Sequence, residues 1–103
     1  MVNEIKMKEL IKKRERLHPD DPRTEDYWNM LTKELTVNED DTIEFICNCN
    51  EHDIFWLSEI FEDISDVFQS EKFIEVLKKV QEKYPKLDLK IDIMYAEKSL
   101  KNI

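Results

Sequence analysis

The segment LSEIFEDISDVF (residues 57–68) decides the fold class of this 103-residue chain. Its apolar residues recur three and four positions apart, which is the spacing that places side chains on one face of an α-helix. They are Leu57, Ile60, Phe61, Ile64, Val67 and Phe68. Acidic and small polar residues stand between them. The pattern predicts an amphipathic helix, whose N-cap we place at Asp53.

The segments on either side of this helix repeat the same pattern. Ser70 is predicted to cap a helix with an apolar stripe, and that helix ends before Pro85 because proline cannot continue it. Thr24 and Asn38 are the predicted N-caps of two earlier helices, each with acidic residues in its first turn, where the helix dipole favours negative charge. A thinner apolar stripe predicts a first helix over residues 3–17.

Two runs, residues 42–48 and residues 87–93, fit two interpretations. At a period of two, each run places apolar side chains on one face of a strand; at a period of 3.6, each gives a helical stripe. Two strands would pair as a small sheet, and the fold would be α+β. The chain has no glycine, against a usual share of roughly 7%, and this disfavours tight hairpins. We therefore expect helices in both runs.

The chain is predicted to be all-α, with about six helices in a single domain over residues 1–103. Successive helices would pack as antiparallel hairpins in a short α-solenoid or an irregular bundle. No apolar run approaches the ~20 residues of a membrane span. The N-terminus lacks the apolar stretch of a signal peptide. We expect a cytoplasmic protein that does not bind membranes.

Cys47, Cys49 and His52 are spaced like metal ligands. A structural zinc site takes four ligands, usually in two separated pairs, and this sequence has no second cysteine pair. On a helix, positions 47 and 49 lie about 200° apart, so at least one cysteine is expected to be a small buried apolar residue. No nucleophile is paired with a base in the sequence. We predict no metal, no cofactor, no catalytic residues and no enzyme activity.

Charge is distributed unevenly along the chain. Residues 1–18 carry a net charge of +3, residues 19–71 carry −14, and residues 72–103 carry +3, which sum to the net charge of −8. An acidic field of this kind repels nucleic acid and attracts basic partners. The alternative interpretation is that the acidic residues serve solubility alone.

The predicted helix over residues 57–68 concentrates this charge on one side. Its acidic residues follow helical spacing with no lysine among them, and like charges three and four residues apart destabilise a helix by a few tenths of a kcal/mol. A basic partner would relieve that repulsion, and aromatic residues beside charge are typical of binding hot spots. We predict a partner-binding surface of Glu44, Glu51, Asp53, Phe55, Trp56, Glu59, Glu62, Asp63 and Asp66. The alternative is a solvated helix face with aromatic residues that cover the core.

Five short motifs follow one another along the chain. They are HPDDPRTEDYWNML (18–31), WLSEIFEDI (56–64), QSEKFI (69–74), KYP (83–85) and DIMYA (92–96). Over about four fifths of the chain, these motifs and their order resemble those of the small bacterial immunity proteins encoded beside polymorphic or contact-dependent toxins. The resemblance implies a helical protein that binds and neutralises one cognate toxin domain.

Many toxins of this kind attack nucleic acid and are basic, so the acidic middle segment fits such a partner. We therefore expect an immunity protein (an antitoxin) that inhibits a basic toxin domain, for instance a nuclease, by occlusion, and that does not itself bind nucleic acid. The alternative is a cytosolic helical adaptor or regulatory module with another basic protein partner. The neighbouring gene distinguishes the two hypotheses.

Overall fold

A computed structural model describes residues 1–101, and this part of the chain forms helices and turns with no strand. The helices are α1 (Glu4–Glu15), α2 (Arg23–Leu35), α3 (Glu39–Cys47), α4 (Glu51–Leu57), α5 (Phe61–Phe68), α6 (Glu71–Lys83) and α7 (Lys90–Lys98), with a 3₁₀ turn (Ser58–Ile60) between α4 and α5. The prediction of an all-α fold is confirmed. The alternative with a two-stranded sheet is wrong, because α3 contains most of one ambiguous run and the other leads from a turn into α7.

The turn before α7 shows why the second run is not a strand. The side-chain amide of Gln81 donates from Nε2 to the carbonyl of Leu87 at 2.6 Å, and its Oε1 accepts from the backbone N–H of Leu89 at 2.7 Å. A side chain of α6 therefore satisfies backbone groups that would otherwise need a partner strand. Leu89 is then free to bury its side chain and to begin the helical stripe.

The helix predicted over residues 57–68 is divided in the structure. Its N-cap is Asn50 and not Asp53, because Asn50 Oδ1 accepts from the backbone N–H of Asp53 at 2.8 Å. The 3₁₀ turn that follows has about three residues per turn, so it aligns side chains three apart. Leu57 and Ile60 are both fully buried. Because of this break, the apolar stripes of α4 and α5 both face the same core.

Two of the other predicted N-caps are confirmed. Asn38 accepts from the N–H of Asp41, and Ser70 accepts from the N–H of Phe73. Thr24 was the wrong choice for α2, whose N-cap is Pro22. Thr24 lies inside the helix, is buried, and donates from Oγ1 to the carbonyl of His18 at 3.1 Å, so it anchors the preceding loop.

The helices pack as an irregular bundle. Successive helices pair in α1–α2 and α6–α7, but α1 also contacts α4, α3 contacts α6, and α5 contacts α7. The buried apolar residues form one cluster drawn from every helix, including Met7, Leu31, Phe45, Ile54, Phe61, Phe73 and Ile93. The radius of gyration is 12.8 Å, close to the value of about 13 Å expected for a folded chain of this length.

The end of α5 holds a residue in the left-handed conformation. Gln69, at φ 49° and ψ 49°, is the one residue with positive φ in the described part of the chain. Its side chain donates to the carbonyl of Ser99 at 2.8 Å and accepts from the N–H of Lys101 at 2.8 Å. Glycine would adopt this backbone without strain, but it would lose both contacts with the end of α7.

Substitution at Gln69 separates the backbone cost from the side-chain contacts. Gln69→Gly and Gln69→Ala both remove the hydrogen bonds, and only alanine retains the left-handed penalty of about 1 kcal/mol or more. We expect Gln69→Gly to be the more stable of the two by about 1 kcal/mol in urea unfolding. Equal stability of the two variants would show that the left-handed backbone carries no cost here.

Candidate functional site

The basic N-terminal helix lies across the acidic middle of the chain. Lys6 Nζ lies 2.6 Å from a carboxylate oxygen of Glu34 on α2, and Lys8 Nζ lies 3.0 Å from a carboxylate oxygen of Asp53 on α4. Arg14 reaches the 3₁₀ turn through Glu59. The uneven charge of the sequence is therefore partly neutralised within the molecule.

The innermost of these pairs joins Arg14 to Glu59. The Arg14 side chain is 2% exposed. Its Nε donates to Glu59 Oε1 at 2.8 Å, its Nη2 donates to Glu59 Oε2 at 2.6 Å, and its Nη1 donates to the carbonyl of Leu17 at 3.2 Å. This is the bidentate arrangement in which a guanidinium and a carboxylate bind most strongly.

Two indole rings enclose the same guanidinium. Its central carbon lies 5.0 Å from the ring centroid of Trp56 and 5.8 Å from that of Trp28, within the range of cation–π attraction. Trp28 also donates from Nε1 to Glu59 Oε1 at 3.0 Å. The cluster of Arg14, Trp28, Trp56 and Glu59, which we call the arginine cluster, therefore joins α1, α2, α4 and the 3₁₀ turn.

The arginine cluster accounts for two motifs of the sequence. Trp28 ends the letters DYW, and Trp56 and Glu59 begin and end the letters WLSE. Their side chains bind the helices to one another, so these letters specify the fold. Two of the nine predicted surface residues, Trp56 and Glu59, thus have structural partners.

Sequence reasoning did not find Arg14, although a signal was present. Met7, Leu10 and Ile11 are buried on one face of α1, and Arg14 follows at the next position of that same stripe. An arginine that continues an apolar stripe is a candidate for burial, and a buried charge requires a partner. An acidic residue three positions after a tryptophan, as Glu59 is after Trp56, would then be a candidate for that partner.

A second network fixes the start of α4 to α1. Asp53 is buried and contacts Lys8 on one oxygen and His52 Nδ1 on the other, at 3.0 Å. His52 Nε2 lies 3.0 Å from a carboxylate oxygen of Glu15. Burial alone would raise the pKa of Asp53, but hydrogen bonds from His52 and Lys8 outweigh it and hold that pKa below 3.8. The pKa of His52 is raised by hydrogen bonds first to Asp53 and then to Glu15.

The remaining predicted surface residues lie on several helices. Phe55 is 50% exposed and packs edge-on against Trp56, with ring centroids 5.1 Å apart. Glu51 and Glu62 are exposed, and neither has a basic group within 4 Å in residues 1–101. Asp66 lies 3.8 Å from Lys101 Nζ.

Asp63 and Glu44 are the last two of the nine predicted surface residues. Burial, and then the negative charge of Asp66, raise the pKa of Asp63. Glu44 lies on α3 and lines a groove with Ile5 and Phe45 at the start of α1. Eight of the nine predicted surface residues therefore lie on α4, the 3₁₀ turn and α5, and Glu44 lies apart from them on α3.

The two cysteines have different surroundings. Cys49 is buried, and burial raises the pKa of its thiol to about 12. Cys47 is exposed, and both thiols are free. Within the described residues, no three His, Cys, Asp or Glu side chains are placed to hold a metal ion. The expectation that at least one cysteine is a buried apolar residue is confirmed.

No helix in residues 1–101 combines the length and the apolar character needed to cross a membrane. A scan against protein-family models, a search of curated proteins and a search of solved structures each returned no match for the chain.

The arginine cluster predicts that two isosteric substitutions differ widely in their effect on the free energy of unfolding. Glu59→Gln leaves the buried Arg14 charge without its counter-ion, and we expect a loss of about 2–4 kcal/mol in the free energy of unfolding. Glu62→Gln, on the exposed side of α5, should change it by less than about 0.5 kcal/mol.

A third variant identifies the cause of that loss. Arg14→Met combined with Glu59→Gln removes the unpaired charge, so this double variant should be more stable than Glu59→Gln alone. Chemical denaturation measures all three. A Glu59→Gln loss no larger than that of Glu62→Gln would contradict the account.

The His52 network predicts a pH dependence with a definite sign. Because the folded-state pKa of His52 is raised, its stabilisation is fully present below the ordinary value of about 6.5 and is lost as the pH rises through the folded-state pKa. The stability difference between the wild type and His52→Asn should therefore be larger at about pH 5.5 than at about pH 9.

The effect should stay below about 1 kcal/mol because the ring is half exposed. His18→Asn is the control, since the ring of His18 bonds within its own turn. A His52→Asn difference that grows with pH would show that the network favours neutral histidine.

Proposed function

We propose that this chain is a cytoplasmic immunity protein that binds one cognate, basic toxin domain and neutralises it by occlusion. The observation that carries the proposal is the half-exposed ring of Phe55 within the acidic stretch 51–66. Three acidic residues of this stretch have no basic group within 4 Å in residues 1–101. These residues are Glu51 on α4, and Glu62 and Asp63 on α5. The motifs that resemble immunity proteins support the same function.

The electrostatics support a basic partner. Several acidic residues of the middle segment are already bonded within the protein, as in Lys6–Glu34, Lys8–Asp53 and Arg14–Glu59. The charges that stay free lie at the surface, where they would accelerate association with a cationic protein. Asp63 experiences repulsion from Asp66, and a cationic group of a partner would relieve it.

Neutralisation by binding requires no chemistry from this chain. A surface that covers the toxin's substrate channel suffices, and aromatic residues next to carboxylates supply both contact area and charge. Phe55 rests on Trp56, which itself rests on Arg14. The arginine cluster would therefore hold the exposed ring in a fixed position, which lowers the entropy lost on binding.

The proposal predicts the effect of reversing two adjacent charges. Glu62→Lys with Asp63→Lys should raise the Kd for the toxin domain encoded beside this gene by about tenfold or more and should reduce the salt dependence of binding. The control is Glu25→Lys with Asp26→Lys, an identical Glu-Asp pair that also lies in the first turn of a helix. Calorimetric titration measures both, and circular dichroism checks that each variant is folded.

Equal weakening by the two double variants would show that only the total charge matters and that this face is the wrong one. Failure of the wild-type chain to bind any neighbour-encoded toxin domain would overturn the function itself. It would favour the adaptor with another basic partner.

A further inference from the structure

A groove lies between the start of α1 and α3. Helix α1 packs mainly on α2 and α4, whereas α3 packs mainly on α6, and the groove is the open space that remains between them. It encloses about 450 Å³, within the range of about 300–1,000 Å³ that is usual for binding sites in proteins. The groove therefore has room for side chains of another molecule.

Part of the groove lining is apolar. Phe45 is 7% exposed and lies deepest, Val2 is half-buried, and Ile5 is 76% exposed. A single exposed isoleucine is common on protein surfaces. Here Ile5 shares a concave lining with Phe45, so a side chain that entered the groove would contact both residues and remove apolar surface from water.

The charged part of the lining is acidic. Three carboxylates line the groove, those of Glu4, Asp41 and Glu44, and no lysine, arginine or histidine of residues 1–101 does so. The ammonium of Met1 lies 2.8 Å from Oδ2 of Asp41. Glu4 and Glu44 have no basic group within 4 Å in the same part of the chain. One cation thus stands against three anions in this groove.

The lysines of the neighbouring helices do not supply the missing cations. Lys6 and Lys8 of α1 are paired with carboxylates of α2 and α4. On α6, Lys72 pairs with an aspartate in the first turn of α3, and Lys83 donates to a backbone carbonyl at the end of α3. Lys79, one turn before Lys83, does not line the groove. The two glutamates of the groove are therefore left for a cation from outside.

We propose that this groove, which we call the α1–α3 groove, binds a short segment of a basic protein, one lysine or arginine of which enters it. The aliphatic stem of that side chain would cover Ile5 and Phe45, and its charge would pair with Glu4 and Glu44. The inference deepens the proposed function and rests on it for one point, the identification of the basic protein as the toxin domain. It gives a role to Glu44, which lies apart from the other predicted surface residues.

The lining favours this occupant over the alternatives. A purely apolar segment would cover Glu4 and Glu44 without a counter-ion, which is unfavourable, and a small free cation would leave Ile5 and Phe45 uncovered. A second copy of the chain carries the same net charge of −8, and repulsion between the copies opposes self-association. A lysine or arginine of a basic protein satisfies both the apolar and the charged parts of the lining.

The first experiment uses peptides of defined composition. The full chain, labelled with ¹⁵N, is titrated with a blocked peptide of alternating leucine and arginine, and with one of alternating leucine and glutamate. We expect saturable amide shifts at Glu4, Ile5, Glu44 and Phe45 with the arginine peptide and none with the glutamate peptide. Arginine-peptide shifts that leave these amides unmoved would overturn the inference.

The charged half of the contact has a matched control. Glu4→Gln with Glu44→Gln should raise the Kd for the arginine peptide by about tenfold. Glu71→Gln with Glu75→Gln removes the same charge from the exposed side of α6 and should change that Kd by less than about twofold. Equal effects of the two double variants would show that only the net charge matters and would overturn the inference.

The apolar half of the contact is tested in the same way. Ile5→Ser should raise the Kd for the arginine peptide by about fivefold or more. The control is Val37→Ser, an aliphatic residue that is 83% exposed between α2 and α3, and it should change Kd by less than about twofold. Circular dichroism checks that each variant is folded.

Repeating these substitutions with the toxin domain that we propose as the partner separates the two proposals. If the wild type binds the toxin but the groove variants have no more effect than their controls, the inference about the groove is wrong and the proposed function stands. If the arginine peptide occupies the groove but no toxin domain binds, the groove stands and the proposed function fails. Sedimentation of the free chain as a dimer that Ile5→Ser dissociates would assign the groove to a second copy and overturn the inference.

Discussion

The rest of the structure depends on a buried guanidinium. Arg14 is enclosed by Trp28 and Trp56 and holds both oxygens of Glu59. A cation this deep is stable only with its counter-ion in place, so α1, α2, α4 and the 3₁₀ turn must all be assembled together. That constraint accounts for the position of α1 across the middle of the chain. It also places Phe55, the neighbour of Trp56, on a rigid support.

The same constraint changes the meaning of the acidic middle segment. Along the sequence, a −14 block stands between two basic ends, and this invites the view that the whole block faces a partner. In the structure the basic N-terminal helix pairs with Glu34, Asp53 and Glu59. Within residues 1–101, the carboxylates of that block with no basic group within 4 Å are Glu25, Asp26, Glu39, Glu44, Glu51, Glu62, Asp63 and Glu71. Their location, and not the total charge, is what a binding hypothesis must explain.

Helical spacing and the lack of glycine were sufficient to predict the fold class, because both are local properties of the chain. The caps at Asn38 and Ser70 were also predictable from local chemistry. The break after Leu57 was not, since it depends on how Leu57 and Ile60 reach the same core. Nor was the burial of Asp53, whose partner Lys8 lies 45 residues away in sequence. The exposure of Ile91, Met94 and Tyr95 was not predictable either, because only packing shows which apolar residues of a helix are left uncovered.

An acidic, rigidly supported surface with exposed aromatic and aliphatic residues suits a protein that acts by covering a basic partner. The most direct test is hydrogen–deuterium exchange of the full chain alone and in complex with the toxin domain that we propose as its partner. Our account predicts slower amide exchange in α4 and α5 on binding, with the amides of α1 unchanged around Arg14. Protection confined to α1, α2 or α6, with α4 and α5 exchanging as in the free protein, would contradict it.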